Sequence, residues 1–472
     1  MTLLIDFSVI VVLILGIRSF RDPRGARLGN LTAALALLCA FMLVLYRQGV
    51  VDAATVSIAL VAGGIIGYGV ARAVTMIQIP AMVAFQHGAG GVAAFLVSAV
   101  ELTRDARVLD PVSEISGVLG LTIGALTFSG SMVASAKLAN KMRQAPQVLP
   151  AHDTLLLLNI GFLLLVGTLS LLVPPGLAGA LYPAQIVLAA CFGILFSIRI
   201  GGADMPVLIS FLNATAGLAA ALCGMVIGNQ LLIAFGATVA ASGSILTHVM
   251  CKAMNRGVLR VFLPHLKSPS AVAKKAPSRP APLAHPRSTS APKATPKQDP
   301  LSKAAEALNR AKKVVIIPGY GMALAKAQFK VVELAAQLAA KGADVKYAIH
   351  PVAGRMPGHM NVILAEAEVD YDDLLEMDQA NPLLQETDVA LVIGACDVVN
   401  PAAMEQEGTP ISGMPILTAH EAQSVIVCNL DQKPGYSGVE NPLYQNSKTI
   451  LLLGDAQSSV STLLAALQLT GA

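Results

Sequence analysis

The sequence contains no tryptophan, and only 4% of its residues are aromatic and 13% charged. Soluble globular proteins carry about 25% charged residues, so a chain this poor in charge and 54% hydrophobic is typical of a membrane protein. The formal net charge of +4 is too small to indicate nucleic-acid binding. The cysteines are scattered without Cys-X-X-Cys spacing, which predicts neither a metal centre nor a disulfide framework. They are Cys39, Cys191, Cys223, Cys251, Cys396 and Cys428.

Long apolar runs occupy the sequence up to Lys252. A transmembrane helix needs about 20 predominantly apolar residues, and nine runs approach this length. The first run follows no basic segment and precedes no cleavage site, so we interpret it as a helix and not as a signal peptide. Residues 1–262 are therefore predicted to form an all-α transmembrane bundle of about nine helices. The runs are residues 3–17, 31–46, 53–70, 80–100, 115–134, 154–174, 182–198, 206–227 and 230–250.

Basic residues cluster after the first, fifth and ninth runs, and these three loops fall on one side of a nine-span bundle. The positive-inside rule then predicts that the N-terminus lies outside and that the C-terminal part is cytoplasmic. The loop Val173–Tyr182 contains no Lys or Arg, as expected for the opposite face. The basic residues are Arg18, Arg21, Arg24 and Arg27, then Lys137, Lys141 and Arg143, then Lys252, Arg256 and Arg260.

Small residues are frequent in several spans, and they allow membrane helices to approach one another closely. The third span contains Gly63, Gly64, Gly67 and Gly69, and the fourth contains the stretch 88–91. We interpret most of these glycines as packing positions.

Beyond the spans, residues 263–300 are rich in Pro, Ala and Lys and are predicted to form a flexible linker. From Ser302 onward, apolar runs alternate with helical patterns, which favours an α/β Rossmann-like domain with a doubly wound parallel sheet over residues 301–472. Predicted strands are 314–317, 345–349, 389–393, 425–428 and 449–453, and predicted helices are 323–340 and 456–467.

A glycine-rich turn follows the first predicted strand: Gly319-Tyr320-Gly321-Met322-Ala323-Leu324. Glycines here allow the backbone to approach a pyrophosphate, and free N–H groups at the start of the following helix favour its charge. Leu324 stands where a third glycine is usual, so the pattern alone also fits a purely structural turn.

The second predicted strand ends in His350-Pro351 and not in the acid that usually binds the ribose of NAD(H). This favours NADP(H), or an unusual orientation of the dinucleotide. The following loop, 352–359, contains Arg355, which could pair with a phosphate or be a solvated surface residue.

Polar residues inside the predicted spans are rare and therefore candidates for a proton pathway. His87 is the only histidine well inside a span, and an imidazole titrates near pH 6.5. Asn213 lies in the eighth span, about two and a half turns after Asp204. The alternative for His87 is a packing role with a hydrogen bond to a neighbouring helix.

Several long stretches resemble the beta subunit of proton-translocating NAD(P) transhydrogenases. They are GYGMALAKAQ (319–328), HPVAGRMPGHMNVILAEA (350–367), DVVNPAA (397–403), GYSGVENPLY (435–444), IGGADMPVLISFLNATAG (200–217) and HVMCKAMNR (248–256). The resemblance implies an enzyme of the bacterial inner membrane that transfers hydride between NAD(H) on a partner alpha subunit and NADP(H) on this chain. Hydride transfer would be coupled to proton movement, and the protomers would form a dimer of alpha-beta pairs. No metal is implied.

The resemblance also assigns roles to particular residues. His87, Asn213 and Asp204 would belong to the proton pathway, and Asp397 would lie near the nicotinamide, although its position before Pro401 also fits a helix cap. Two loops would line the pyrophosphate and riboses, and a third would act as a lid. These cofactor-binding residues are Gly319, Tyr320, Gly321, Met322, Ala323 and Ala325, then Val352, Ala353, Gly354, Arg355, Pro357 and Gly358, then Lys433, Gly435, Tyr436 and Ser437, with Asp455 and Ala456 after the last strand.

The sequence departs from this family after the fifth strand that the family has. Members usually carry Lys-Arg-Ser there, and the two cations bind the 2′-phosphate of NADP(H), whereas this chain has Asn429-Leu430-Asp431. Lys433 is the candidate to compensate. Cys396 and Gln457 also replace usual residues, an asparagine and a lysine. An alternative function follows: a non-catalytic homologue in which dinucleotide binding, NADP(H) or NAD(H), gates a proton or ion pathway.

Overall fold

The computed structural model describes residues 2–19, 25–48, 53–104, 110–144, 146–255, 257–262 and 299–469. Apart from residues 299 and 300, the predicted linker lies outside the described residues, as do Arg21, Arg24 and Arg256 from the topology argument.

All nine predicted spans are helical in the described part of the chain. Eight of them are long and apolar enough to cross a membrane. The exception, α1, has 17 residues, which corresponds to about 26 Å against a bilayer core of about 30 Å. The nine helices are α1 (Thr2–Arg18), α2 (Ala26–Gln48), α3 (Ala53–Ala73), α4 (Ile79–Leu102), α5 (Pro111–Leu138), α6 (His152–Leu172), α7 (Pro175–Ile198), α8 (Met205–Ile227) and α9 (Gln230–Ala253).

Helices α5 and α8 form the centre of the bundle. They are the two most buried spans, and α5 packs against α4, α7 and α8. The start of α5 follows from its sequence: Asp110 accepts hydrogen bonds from the backbone N–H groups of Val112 and Ser113, and Pro111 occupies the first helical position. Helix α8 ends at Gly228, whose φ of +70° is a left-handed conformation that favours glycine.

The glycine interpretation holds for Gly88 and Gly91 of α4, whereas the glycines of α3 have no packing partner among the described residues. A Cβ added to Gly91 would lie 2.7 Å from the carbonyl oxygen of Gly124 on α5, so the two helices touch backbone to backbone. By contrast, Cβ atoms on Gly63, Gly64, Gly67 and Gly69 would meet no atom within 4 Å. Glycine permits close packing but does not cause it, and α3 packs against none of the described helices through this face.

The C-terminal domain contains a six-stranded, all-parallel sheet with strand order β3-β2-β1-β4-β5-β6. This confirms the predicted doubly wound Rossmann-like fold. Every residue of β4 is buried, as expected for a central strand covered by helices on both faces. The strands are β1 (Lys313–Pro318), β2 (Asp344–Ile349), β3 (Leu374–Glu376), β4 (Val389–Ile393), β5 (Ser424–Asn429) and β6 (Thr449–Leu453).

The secondary structure of the C-terminal part differs from the prediction in one helix and one strand. The predicted helix 323–340 is broken at Ala325–Ala327, where Lys326 adopts a left-handed φ of 52°. Strand β3 was not predicted because its three residues are too few to show a period. The helices are α10 (Val258–Phe262), α11 (Pro300–Arg310), α12 (Tyr320–Leu324), α13 (Gln328–Ala340), α14 (His359–Glu366), α15 (Met377–Leu384), α16 (Ala402–Glu405) and α17 (Ala456–Leu469).

Candidate dinucleotide site and proton pathway

The predicted cofactor-binding residues all follow the carboxyl ends of β1, β2, β4, β5 and β6. In a doubly wound sheet, ligands bind outside these ends, at the point where the strand order reverses. Here the reversal lies between β1 and β4, which are hydrogen-bonded neighbours. The fold therefore places the predicted residues after β1, β4, β5 and β6, together with Val352 and Ala353 after β2, at one edge of the sheet.

The glycine turn after β1 packs directly on the turn after β4. A Cβ on Gly319 would lie 2.2 Å from the carbonyl oxygen of Gly394, and one on Gly321 would lie 2.7 Å from the Cα of Gly394. The N–H groups of Gly319 and Gly321 donate to the carbonyl oxygens of Ile393 and Gly394, at 2.8 and 2.9 Å. These two N–H groups therefore hold the turn after β1 against the turn after β4.

Several residues assigned to the cofactor have side chains inside the protein. Met322 and Ala323 are fully buried, and Val352, Ala353 and Ala456 are also buried. Such residues can shape the site or offer backbone atoms, but their side chains have little exposed surface for a ligand.

Asp397 connects the turn after β4 with the predicted lid. Its carboxylate accepts hydrogen bonds from the backbone N–H of Ser437 at 3.0 Å and from the Ser437 hydroxyl at 2.6 Å. Gly435 is required beside it, because a Cβ there would lie 2.8 Å from Asp397 Oδ1. Burial raises the pKa of the Asp397 carboxyl, and the hydrogen bonds from Ser437 oppose that rise. The loop at residues 435–437 is thus anchored on a half-buried carboxylate.

Two aromatic rings also join the lid to the glycine turn. The centroids of Tyr320 and Tyr436 are 6.4 Å apart, with the rings tilted by 58°. Tilted pairs at this separation are favourable. The structure therefore brings together the residues predicted at the ends of β1, β4 and β5.

The loop after β2 is held by His350. Its Nδ1 accepts from the N–H of Val352 at 3.2 Å, and its Nε2 lies 2.8 Å from the carbonyl oxygen of Pro415. This pattern requires the neutral tautomer with the proton on Nε2. Burial lowers the pKa of His350 to about 4.

The rest of this loop has the backbone conformation of a tight turn. Gly354 and Gly358 have φ values of +101° and +71°, which side chains rarely allow. The backbone N–H of Arg355 donates to Nδ1 of His359 at 3.1 Å. Pro357 lies between the two glycines and is half-buried.

The end of β5 is the place where the family usually has cations. Asn429 donates from Nδ2 to the carbonyl oxygen of Ala395 at 2.9 Å and to the hydroxyl of Tyr444 at 2.8 Å. Its amide therefore braces the protein itself. Leu430 is exposed.

Lys433 forms an ion pair with Asp431, with Nζ 3.0 Å from Oδ2, and this pairing lowers the pKa of Asp431. An exposed pair of this kind contributes little to stability. The ion pair places the Asp431 carboxylate beside Lys433, the cation proposed to compensate for the two cations that the family usually has here.

Asp455 has a structural contact: its carboxylate accepts from the N–H of Ser458 at 3.1 Å at the start of α17. This is the geometry of a helix N-cap. Gly454, just before it, has a φ of +145°.

The sequence reasoning missed Asn441 and Asn400, whose side-chain amides hold the segment that follows residues 435–437 against the turn after β4. Asn441 Nδ2 donates to the carbonyl oxygen of Cys396 at 3.1 Å, and Asn400 Nδ2 donates to the carbonyl oxygen of Glu440 at 3.2 Å. Each asparagine directly precedes a proline, Pro442 or Pro401, and Asn-Pro is a signal for a turn or a helix start. That signal was available, but nothing local shows which carbonyl groups the amides reach.

In the membrane bundle, His87 lies on α4, and this helix packs against α5 and α8. Its Nδ1 is buried and has no hydrogen-bond partner among the described residues.

Asp204 directly precedes the eighth span, and Asn213 lies within it. Asp204 ends the short turn Gly202–Asp204 that leads into α8, and Asn213 lies within α8, half-buried. Nearby, the hydroxyl of Thr127 on α5 donates to that of Thr215 on α8 at 2.9 Å. The α5–α8 interface thus contains polar groups at membrane depth as well as small residues.

Comparison with known proteins supports these observations. The sequence profile of the family described as "NAD(P) transhydrogenase beta subunit" matches residues 3–466. The chain is 40% identical over 464 residues to the NAD(P) transhydrogenase subunit beta of Rhodospirillum rubrum, which covers 97% of both proteins. The subunit from the strain ATCC 11170 of that organism matches with the same identity and coverage. The chain therefore belongs to the NAD(P) transhydrogenase beta subunit family.

Proposed function

We propose that this chain binds NADP(H) in its C-terminal domain and, with an NAD(H)-binding alpha subunit, couples hydride transfer between the two dinucleotides to proton movement through its membrane helices. The observation that carries the proposal is full-length membership of the transhydrogenase beta family together with a Rossmann-like sheet and eight membrane-capable helices. The protein is then an enzyme subunit of a multi-pass inner-membrane complex.

The residues at the sheet edge fit a dinucleotide. The contacts among Gly319, Gly321 and Gly394 keep the end of β1 close to the end of β4, where a dinucleotide crosses a doubly wound sheet. When bound, the nicotinamide supplies or accepts the hydride. The chain's own residues bind, orient and exclude water: the lid residues Tyr436 and Ser437 are anchored by Tyr320 and Asp397.

For the proton pathway we propose His87, Asn213 and Asp204. His87 offers a titratable group with an unpartnered buried nitrogen within the described structure, and Asn213 offers a polar side chain on a helix adjoining α4. Asp204 lies where α8 begins, so a proton that reaches it is at one face of the bundle. This arrangement supports movement along α8 from its end to its middle.

A reconstituted system tests the coupled function. Purified chain and alpha subunit in vesicles should exchange hydride between the nicotinamides and change the internal pH. His87→Ala should abolish the pH change, whereas His248→Ala, an exposed histidine on α9, should not. Binding of the dinucleotide without hydride exchange, even with the alpha subunit present, would contradict the enzymatic proposal and favour dinucleotide-gated proton or ion passage.

We propose further that the pocket of this chain discriminates weakly against NAD(H). Asn429, Leu430 and Asp431 provide no cation, and Lys433 is paired with Asp431. A hydrogen bond to a charged group contributes about 1.5–3 kcal/mol, so loss of two phosphate contacts lowers the preference for NADP(H) by orders of magnitude.

Calorimetric titration of the full chain with NADP⁺ and NAD⁺ measures this preference. We expect Kd values within about tenfold of each other, and the double variant Asn429→Lys, Leu430→Arg should favour NADP⁺ by at least a further tenfold. Lys330→Met, which removes an exposed cation on α13, is the matched control. A wild-type preference for NADP⁺ above about a thousandfold would contradict this part of the proposal.

The arrangement in the membrane is also a proposal. We infer from the loop charges that the N-terminus is outside and the C-terminal domain cytoplasmic. We infer that α-β pairs dimerise, and the open glycine face of α3, around Gly63 and Gly67, is a surface on which helices of another chain could pack. Accessibility labelling of single cysteines placed in the loops tests the first inference, and cross-linking between cysteines on α3 tests the second.

A further inference from the structure

Lys137 is the largest fully buried side chain of the described structure that carries a charge. It lies in the last turn of α5, and its Nζ donates to three carbonyl oxygens: those of Ser197 at 3.1 Å, Ile198 at 2.7 Å and Ile200 at 2.6 Å. An ammonium group has three N–H donors, so each is used. All three acceptors lie at the end of α7 or just beyond it.

These acceptors have a common physical property. The last four carbonyl groups of a helix have no partner within the helix and carry partial negative charge. A cation is therefore favourable there, and in a buried, low-dielectric setting its hydrogen bonds are strong. Without Lys137, three carbonyl groups inside the bundle would lose a donor.

Other contacts hold the same segment. Nε2 of His152 lies 3.0 Å from the carbonyl oxygen of Leu195, and the N–H of Gln147 donates to that of Ile198 at 3.0 Å. Beyond the helix, the N–H of Gly202 donates to the carbonyl oxygen of Gln144 at 3.1 Å. The connection from α7 to α8, residues 199–204, is thus held at Ile200 by Lys137 of α5 and at Gly202 by the α5–α6 loop. On α6, Asp153 forms an ion pair with Arg199 at 2.6 Å.

Asp204 is the last residue of this connection, and α8 begins directly after it. We propose that Lys137 is a positioning residue for proton translocation: its ammonium group fixes the backbone of residues 199–204 and thereby the place of the Asp204 carboxylate. This inference rests on the proposed role of Asp204. In this role the buried ammonium group acts by holding the backbone in place, and the lysine does not gain or lose a proton.

The test uses full-length variants in vesicles with the alpha subunit. Lys137→Met removes the charge and all three donors, Lys137→Gln keeps two donors without the charge, and Lys137→Arg keeps the charge. Lys141→Met, four residues further on and exposed, is the matched control. Three quantities are measured: the rate of proton translocation, dinucleotide binding, and amide hydrogen exchange of residues 199–204.

We expect Lys137→Met to lower proton translocation about 10- to 100-fold, as displacement of a functional group by about 1 Å can do. Exchange in residues 199–204 should become faster, dinucleotide binding should stay unchanged, and Lys137→Arg should restore most of the translocation. If Lys137→Met does not insert into the membrane, Lys137→Gln provides the comparison with Arg. The Lys141→Met protein should match the parent.

Loss of translocation without faster exchange at 199–204 would overturn the proposal, as would full activity of both Met and Gln variants. Failure of Arg to rescue would also overturn it, because a positioning cation is then not what the site needs. The variant Asp204→Asn separates the proposed role of Asp204 from the positioning role of Lys137. If it translocates normally, the proposed role of Asp204 fails, while the exchange data still report whether Lys137 fixes the connection.

Discussion

The membrane bundle and the C-terminal domain satisfy their backbone groups in different ways. At the end of α7, carbonyl groups accept from the charged side chain of Lys137 and from the ring of His152. At the ends of β1 and β4, backbone groups pair with each other, as in the bond from Gly319 N–H to Ile393. Parallel strands bring neighbouring chain ends together, whereas the end of a membrane helix depends on side chains and on the few loop backbone groups that reach it, such as the N–H of Gln147 at Ile198.

Both regions use glycine for close backbone contact, but the partners differ. In the bundle, Gly91 meets the helix backbone at Gly124; in the domain, Gly319 meets the turn at Gly394. Two helices can separate slightly to make room, whereas two turns joined to central strands cannot. The comparison predicts a larger penalty for a side chain in the domain than in the bundle.

The largest expected effect is at Gly319. Gly319→Ala should destabilise the C-terminal domain by about 3 kcal/mol or more and abolish dinucleotide binding, because the new Cβ overlaps the Gly394 carbonyl. Gly342→Ala is the control: its φ is +91° but no atom lies within 4 Å, so only about 1–2 kcal/mol of backbone strain is expected. Hydrogen exchange of β1 and β4 in the solubilised protein measures both. Equal effects would show that the turn can adjust.

Acidification should weaken the domain through His350. Its pKa in the folded protein is about 4, against 6.5 when exposed. The contribution is intact above pH 6.5 and is lost as the pH falls towards 4, because the unfolded state then binds the proton first. The loss amounts to about 3 kcal/mol. Exchange of the Val352 N–H as a function of pH measures it, and His350→Gln should flatten the profile while His420→Gln should not.

Gly91 gives the corresponding test in the bundle. Gly91→Val should cost about 1–3 kcal/mol, since its Cβ would approach the Gly124 carbonyl and the Phe128 nitrogen. Gly90→Val, on the neighbouring position with no atom within 4 Å, should change stability by less than about 1 kcal/mol. Thermal unfolding in detergent compares the pair. A larger effect at Gly91 than at Gly319 would reverse the comparison between the two regions.

The smallest expected effect is at the lid. Ser437→Ala removes the hydroxyl that donates to Asp397 and should cost about 1.5–2 kcal/mol. Because the pKa of Asp397 is already raised by burial and would rise further, the variant should lose more stability as the pH increases from 4 to 7. Ser437→Thr keeps the hydroxyl and serves as the control. A pH-independent loss would mean that Asp397 is not the group affected.

Much of the fold could be predicted because apolar length and period are local properties. The runs that end at Lys252 are long enough only for membrane helices, and strands such as 389–393 are uniformly apolar because both faces are buried. The break at Lys326 and the strand Leu374–Glu376 could not be predicted, since a left-handed residue and a three-residue strand are selected by their neighbours.

The candidate site was predictable in its position but not in its contacts. The strand ends placed Gly319, Asp397 and Tyr436 at one edge, yet the use of the glycine amides by Ile393 and Gly394 depends on how the two turns meet. Family resemblance supplied the roles of Asn213 and Asp204, which remain predictions. No sequence pattern distinguished Lys137 from the other basic residues of its loop, which had been counted together as topology signals.

The sequence by itself determined the membrane helices, the doubly wound parallel class of the C-terminal sheet and the family, because these depend on hydrophobic length, period and long matching stretches. Only the tertiary structure decided that Lys137 is buried and capping α7, that Asn429 braces Tyr444, and that the glycines of α3 face open space. The physical reason is that burial and hydrogen bonding are properties of pairs of segments far apart in the chain. The energies of these contacts depend on which groups come together after folding, and a single sequence does not show which groups do so.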